Sequence, residues 1–200
     1  EGDVQATGLA PGQTLGTLAC ARLNARFDER LREVQAVGGV RLTLPPGGQP
    51  GSPRRERSLT CENLDVTFDA ESHPDRLTAD GGVDAREIER SLGKAQPIER
   101  ELSCRAVEAR FQRGSNIVDH AIARDRRVIR QDRRRVDGEQ AVYTGTNGQW
   151  VVTGHPVVTL PEGRITHADQ LIWDQATGHY RMTGRFQSRW DRLWLGSNTN

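Results

Sequence analysis

No run of apolar residues in this sequence is long enough to cross a bilayer as a helix. Apolar residues make up only 34% of the 200 positions, and aromatics 5%. A large helical core is therefore not expected; elements that each bury one face suit this composition better. Charge of one sign is lacking too. The formal net charge is +1, which excludes a bulk polyelectrolyte attraction to nucleic acid. Lysine is nearly absent, with Lys94 alone beside many arginines, a skew that fits a GC-rich genome and carries no function. Three cysteines, an odd number, exclude a fully paired intramolecular disulfide framework. They lie 41 and 43 residues apart, without the close pairs of zinc sites, and no histidine recurs beside them, so no metal is expected. No signal-peptide pattern is present, and the chain opens on Glu1 rather than Met. We expect a start trimmed from a longer protein, with a leader or membrane anchor ahead of it left open.

What is present is repetition. "LACARLNARF" from Leu18, "LTCENLDVTF" from Leu59 and "LSCRAVEARF" from Leu102 share one pattern and contain every cysteine. The first two are followed by "VQAVGGVRL" and "LTADGGVDA", the third by the weaker copy "AIARDRRVIR", with Ala123 and Val128 in the matching places. The pattern continues without cysteine through Val136–Leu160 and Ile165–Phe186, where Tyr143 and Trp173 stand where the phenylalanines stood. "EGDVQA" at the front reads as the tail of an earlier unit, giving about five units on the scale of stacked repeats.

The units read as strands. Leu23, Ala25 and Phe27 alternate with polar residues, as do Leu64, Val66 and Phe68, the period of a sheet with one wet face. Asn147-Gly148 and Ala176-Thr177-Gly178 signal tight turns. Leu18 and Cys20 have the opposite parity to Leu23, Ala25 and Phe27. A bulge or corner between the two groups turns both inward, and the Gly38-Gly39 and Gly81-Gly82 pairs suit such a bend. We therefore expect an all-β, two-walled fold: a β-jellyroll, with a β-solenoid as the alternative. Residues 45–58 read as an exposed Pro/Gly-rich basic excursion and 86–101 as a loop with room for a helical turn. Residues 1–188 form one domain and 189–200 a cap or tail, in which Trp190, Leu193 and Trp194 are spaced as in a short helix or last strand.

The recurring unit resembles the OstA-like repeat of the lipopolysaccharide-transport proteins of Gram-negative envelopes. The stretch "GEQAVYTGTNGQWVVTGHPVVTLPEGRITHADQLIWDQATGHYRMTG" carries the resemblance most fully, through its "TG-x-P" and "A-D-x-L-x-aromatic-D-x-x-T-G" runs, and the likeness spans roughly Gly2 to Phe186. The chain departs from the pattern in its three cysteines and its basic Pro/Gly insertion. The resemblance implies an OstA-like β-jellyroll with a greasy groove, joined edge to edge to similar jellyrolls. It implies no catalysis and no cofactor. It implies a periplasmic place, and lipopolysaccharide or a similar amphipathic glycolipid as ligand. A homo-oligomer is compatible with such edges, and no nucleic-acid partner is expected.

Stacked repeats turn like residues into ladders, and an acyl chain in an apolar trough gains about 0.8 kcal/mol per buried CH2. Phe27, Phe68, Phe111, Tyr143 and Trp173 are expected to form one ladder, and Leu23, Leu64, Val107, Ala141 and Leu171 the next. Met182 and Phe186 join the groove from the last unit. The bland reading is that these ladders only fill a core. The run "RDRRVIRQDRRR" holds Arg124, Arg126, Arg127, Arg130, Arg133, Arg134 and Arg135 against two aspartates. It is the candidate phosphate-binding cluster, with a solvated edge that discourages aggregation as the plainer reading. The cysteines read as small inward residues rather than nucleophiles, because the repeat makes them equivalent. His167 and His179 are placed to meet across the last hairpin, and "SLGK" at Ser91–Lys94 is a chance match to a catalytic motif. Two rivals stand beside lipid transport: a self-assembling structural β-repeat without ligand, and a carbohydrate-active β-helix, for which no paired carboxylates recur.

Overall fold

The computed structural model describes residues 4–7, 16–47, 53–91 and 96–190, with the side chains of 5–7, 45–47, 126 and 127 outside the description. The period-two pattern builds strands throughout. The first group is β1 (Val4–Thr7), β2 (Thr17–Cys20), β3 (Arg22–Asp28), β4 (Arg30–Gly47), β5 (Arg54–Phe68), β6 (Pro74–Arg90), β7 (Ile98–Phe111) and β8 (Val118–Gln131). The second is β9 (Arg134–Thr144), β10 (Gln149–Thr153), β11 (Val157–Leu160), β12 (Gly163–Thr166), β13 (Gln170–Asp174), β14 (Tyr180–Thr183) and β15 (Gln187–Trp190). They pair in the order β1-β2-β4-β5-β6-β7-β8-β9-β10-β13-β14, with β3 beside β4 and β11-β12-β15 branching from β9. Every pairing among the described residues is antiparallel, so the architecture is all-β and jellyroll-like rather than a coil of parallel strands.

Strands β4 to β8 are 14–18 residues long, well beyond the usual five or six, because each is bent at its middle. At the bend two residues face one. Gly38-Gly39 lie between the pairs Val37↔Asn63 and Val40↔Cys61, opposite Glu62 alone. Gly81-Gly82 lie opposite Arg105 in the same way, and Asp125-Arg126 opposite Glu139. The leading residue of each pair is left-handed, with φ of 86° at Gly38, 83° at Gly81 and 62° at Asp125. A Cβ on Gly38 would sit 2.7 Å from that of Ala21, and one on Gly81 would collide with the Glu62 side chain, whereas Gly39 and Gly82 face open space. Gly154 against Glu139 and Gly184 against Asp169 repeat the same contact in the last two units. There the strand is fully broken at the corner, so β10/β11, β13/β12 and β14/β15 are halves of one bent path.

The corner does what the parity switch predicted: it turns both halves of each strand toward one interior. On one wall the row Leu18–Leu42–Leu59–Ala85–Leu102–Ile129–Val136–Val158–Ile165 runs rung by rung. On the other the row is Leu23–Ala36–Leu64–Ala79–Val107–Ala123–Ala141–Val152–Leu171–Met182. The walls pack on each other in two clusters, one centred on Cys20, Val40, Cys61, Val83, Cys104 and Leu64, the other on Val136, Val152, Leu171 and Trp173. All three cysteines are buried on alternate strands beside the corner. Gly138, two residues after Val136, fills the equivalent place in the next unit, and a Cβ there would collide with Val152. The position needs a small side chain, as the repeat implied.

Several expectations change. Tyr143 and Trp173 are not in register with the phenylalanines; they align with Ala25, Val66 and Ala109, one rung nearer the corner. Val128 pairs with Ser103 on the outward parity, and Arg127 stands at the register position of Val40 and Val83, because the Asp125-Arg126 bulge spans two residues like the glycine pairs, so the matching place falls four residues after Ala123 and Val128 lies one beyond it. Residues 54–58 and 86–90 are paired strand rather than loop, and 98–101 are strand as well, because their alternating charges meet across β5, β6 and β7. Residues 48–52, Leu92–Ala95 and the tail from Asp191, with Leu193 and Trp194, lie outside the described residues, while Trp190 ends β15. His167 lies at the last corner and His179 at the far hairpin end, so they do not meet. The Asn147-Gly148 and Ala176-Thr177-Gly178 turns form as expected, the second tied by the backbone amides of Ala176 and Thr177, which donate to the Asp174 carboxylate.

The asymmetry of the glycine pair is measurable. Gly81→Ala is expected to destabilise the fold by about 2–3 kcal/mol, from left-handed strain plus the clash with Glu62, and Gly82→Ala by about 1 kcal/mol, from strain alone. Urea unfolding of both variants decides it; equal losses would mean that the contact does not hold the corner.

Candidate functional site

Distance from the corner sets the chemistry of each inner row. The cysteine-valine row and the two aliphatic rows lie nearest to it. On the Leu23 wall the next row outward is Ala25–Val34–Val66–Leu77–Ala109–Ala121–Tyr143–Trp150–Trp173–Tyr180. Its last four members form an aromatic stripe, with ring centroids 5.1 Å apart in Tyr143–Trp150 and 5.8 Å in Trp173–Tyr180. Beyond it, at the strand tips, Phe27 pairs with Leu31, Phe68 with Pro74 and Phe111 with Val118. These make an apolar lip. An open cleft of about 490 Å3 lies there, lined by Arg26, Phe27, Asp28, Arg32, Thr67 and Phe68.

The candidate groove residues therefore separate. Leu23, Leu64, Val107, Leu171 and Met182 share one continuous row with Ala141. Tyr143 and Trp173 share the next. Phe27, Phe68 and Phe111 share the lip. Phe186 sits apart beside the last corner and is 52% exposed. Burial is graded along the sheet. Leu171 and Trp173 are sealed at 0% and 1% exposure, while Leu18, Leu23, Leu42, Leu59, Phe68 and Leu77 are only partly covered, and Phe27 is 67% exposed. On the Leu18 wall the row is partly covered from Leu18 to Leu102 and buried from Ile129 to Ile165, whereas the Leu23 row is buried from Ala36 to Leu171 and partly covered at both ends.

The opposite wall ends differently. Directly beyond Leu42–Leu59–Ala85–Leu102–Ile129–Val136 comes the rung Leu44–Arg57–Glu87–Arg100–Gln131–Arg134, on the same inward parity. Arg57 Nε donates to Glu87 Oε2 at 2.8 Å, and Arg100 Nη1 donates to Glu87 Oε1 at 2.7 Å and Glu89 Oε2 at 3.0 Å. Arg55 Nε donates to the same Glu89 oxygen at 3.2 Å. Burial opposes the charge of Glu89, but the hydrogen bond and charge of Arg100, with Arg55 behind it, hold its carboxyl below the usual carboxylate range. Tyr143 feels this network from the facing wall: burial raises its hydroxyl pKa, and Glu87 raises it further. Arg134 lies 6.0 Å from the centre of the Tyr180 ring.

The candidate phosphate cluster is thus divided. Arg130 and Arg135 point outward and are paired, Arg130 with Glu101 at 3.3 Å and Arg135 with Asp137 through a fork of contacts as short as 2.6 Å. Arg124 and Arg133 are exposed, and the side chains of Arg126 and Arg127 lie outside the described residues. Only Arg134 of the seven is on the inner rung. Sequence reading missed Arg55, Arg57, Glu87, Glu89, Arg100, Gln131, Trp150 and Tyr180. The signal was there in "RRERS", "REIER" and "IEREL", whose period-two alternation carries the strands straight through the segments read as loops.

No family model matches the chain, and no curated protein matches it. A solved structure that matches is the crystal structure of LptH from Pseudomonas aeruginosa, described as the LptA-homologous periplasmic component of the conserved lipopolysaccharide transport device. The two are 13% identical, the match covers 68% of this chain and 80% of that one, and the TM-score is 0.43.

The cysteines offer a direct check of the inner packing. Burial pushes the Cys61 thiol up to about 11, with Asp80 and Glu62 adding to the effect. The folded state therefore prefers the neutral thiol. Its contribution to stability is complete below the thiol pKa of an unfolded chain, about 8.5, and is lost as pH rises toward 11. We expect a loss of stability between those values that Cys61→Ala removes, read by urea unfolding at several pH values. At pH 8 native Cys61 should be alkylated by iodoacetamide roughly a hundredfold more slowly than in the unfolded chain; rapid labelling would contradict a sealed position.

Proposed function

We propose that this chain is a non-catalytic, OstA-like lipid-binding bridge of the periplasm, a member of a lipopolysaccharide-transport assembly. It holds acyl chains of lipopolysaccharide or a similar amphipathic glycolipid between its two walls and joins similar jellyrolls edge to edge. The single observation that carries this reading is the wall row that begins Leu18–Leu42–Leu59–Ala85–Leu102, only partly covered on these N-terminal strands, and runs on in register into the buried Ile129, Val136, Val158 and Ile165. A core alone has no need to open at one end; a trough that receives a chain does. The resemblance of the repeat unit supports the same reading. In this reading acyl chains enter on the N-terminal strands, beneath the Phe27–Phe68–Phe111 lip; the half-covered Leu18, Leu42, Leu59 and Leu102 support it. Among the described residues β1 and β3 at one end of the sheet and β14 and β15 at the other each have a single neighbouring strand. Such edges suit the addition of a strand from another jellyroll.

Titration of the protein with a fluorescent hexadecyl amphiphile tests the reading. Binding saturable at one site is expected, and Phe68→Ser should weaken it by about tenfold or more, the loss of a phenylalanine-sized apolar contact. Thermal unfolding of the variant controls for folding. No binding by the intact protein, together with no lipid in organic extracts of it, would favour the structural self-assembling repeat instead.

A further inference from the structure

Four arginines face the interior on the alternate strands β5, β7 and β9, where an acyl chain has no use for them. We propose that the inner rung of Arg57, Arg100 and Arg134, with Gln131 between the last two, is a binding site for a phosphate monoester, distinct from the outward arginines of the 124–135 run. Three observations carry it. First, the rung is unbalanced. Arg55, Arg57, Arg100 and Arg134 meet only Glu87 and Glu89 among the carboxylates that pair with them, and Arg134 has an aromatic ring rather than a carboxylate against it. An ion-pair network built only to hold strands together would be closer to neutral, as the outward pairs Arg130–Glu101 and Arg135–Asp137 are.

Second, buried polar atoms without partners gather here. Arg100 Nε, Gln131 Oε1, Trp173 Nε1 and Tyr180 Oη are such atoms, on the rung and on the aromatic stripe that faces it. Gln131 is 7% exposed and Trp173 1%. Leaving such a group unsatisfied costs about 1–3 kcal/mol, which favours a solute or solvent that supplies the missing partners. Three of the four are donors, which suits an oxyanion. The fourth, the Gln131 carbonyl, suits a hydroxyl beside it. Third, the arginines are set for bidentate contact. Arg55 and Arg57 bind their glutamates through Nε, and their side chains are 49% and 37% exposed, which leaves them accessible to an incoming group. Guanidinium forks match phosphate oxygens in a way that point charges do not.

The chemistry is a phosphate monoester whether it arrives on a lipid or free. Lipid delivery rests on the reading above; the phosphate site does not. Hexadecyl phosphate and hexadecyl maltoside share a chain and differ in the headgroup, and glucose 1-phosphate carries the headgroup chemistry without a chain. We expect the intact protein to bind hexadecyl phosphate at least about tenfold more tightly than the maltoside. The double variant Arg57→Gln/Arg134→Gln should bring the two to parity and leave maltoside binding unchanged. Arg130→Gln/Arg135→Gln should keep the preference. Glucose 1-phosphate should shift the Trp173 indole N–H resonance in the intact protein and not in the inner double variant. If that variant fails to fold, Arg57→Lys/Arg134→Lys keeps the charge and loses the fork, and should lose most of the preference. A preference that survives the inner variants, or equal binding of the two amphiphiles with no indole shift, overturns the site. Failure of both amphiphiles with the indole shift intact would sink the acyl groove and leave the phosphate site standing.

Discussion

At the middle of each long strand two residues face one, and the chain has to turn there. The turn needs a left-handed backbone at the leading residue and a small group against its neighbour. Gly38, Gly81, Gly154 and Gly184 meet both demands, and Asp125 meets the first with the one kind of side chain that tolerates it best. Because the same contact recurs in every unit, the corners line up along the sheet. Two walls then face each other without any second sheet being folded separately. Every inner row follows from that alignment, since a shift of one residue at any corner would throw a whole half-strand to the wrong face.

The interior so produced is not uniform. Near the corner the row holds Cys20, Val40, Cys61, Val83, Cys104 and Gly138, with the backbone of Arg127 in the same register. Farther out the walls take leucines, then aromatics on one wall and charges on the other. A single antiparallel sheet thus presents a gradient from dry to ionic across a few residues of each strand. A second gradient runs at right angles to it on the Leu18 wall, from the half-covered Leu42 and Leu59 of β4 and β5 to the buried Val136 and Val158 of β9 and β11.

Much of this was legible in the residues themselves. Alternation gave the strands, and the opposed parities of Cys20 and Leu23 gave the corner and the inward side of both halves. The Leu23–Leu64–Val107–Ala141–Leu171 row came out in register because its members each follow the aliphatic anchor of the other wall at a spacing of five residues, or six at Ile165–Leu171. The aromatic row did not, because a side chain's size says nothing about its rung: Tyr143 lies two residues from Ala141, whereas Phe111 lies four from Val107. The charged rung was missed for a different reason. Arginine and glutamate in alternation look like solvent-facing loop when each segment is read alone. They become an inner lining only when Arg57, Glu87 and Arg100 are seen to be neighbours across three strands. Pairing between distant segments is information that a single stretch does not hold.

The cysteine row has one more consequence. Cys20, Cys61 and Cys104 sit on alternate strands, with Val40 and Val83 between them. Two strand spacings separate neighbouring thiol-bearing backbones by about 9–10 Å, beyond the roughly 7 Å that a disulfide can bridge. The native register therefore insulates the thiols from one another, and an oxidising compartment would leave the folded chain reduced. Crosslinking between them is confined to molecules that have lost their strand order, so the sheet itself serves as the safeguard against its own misoxidation.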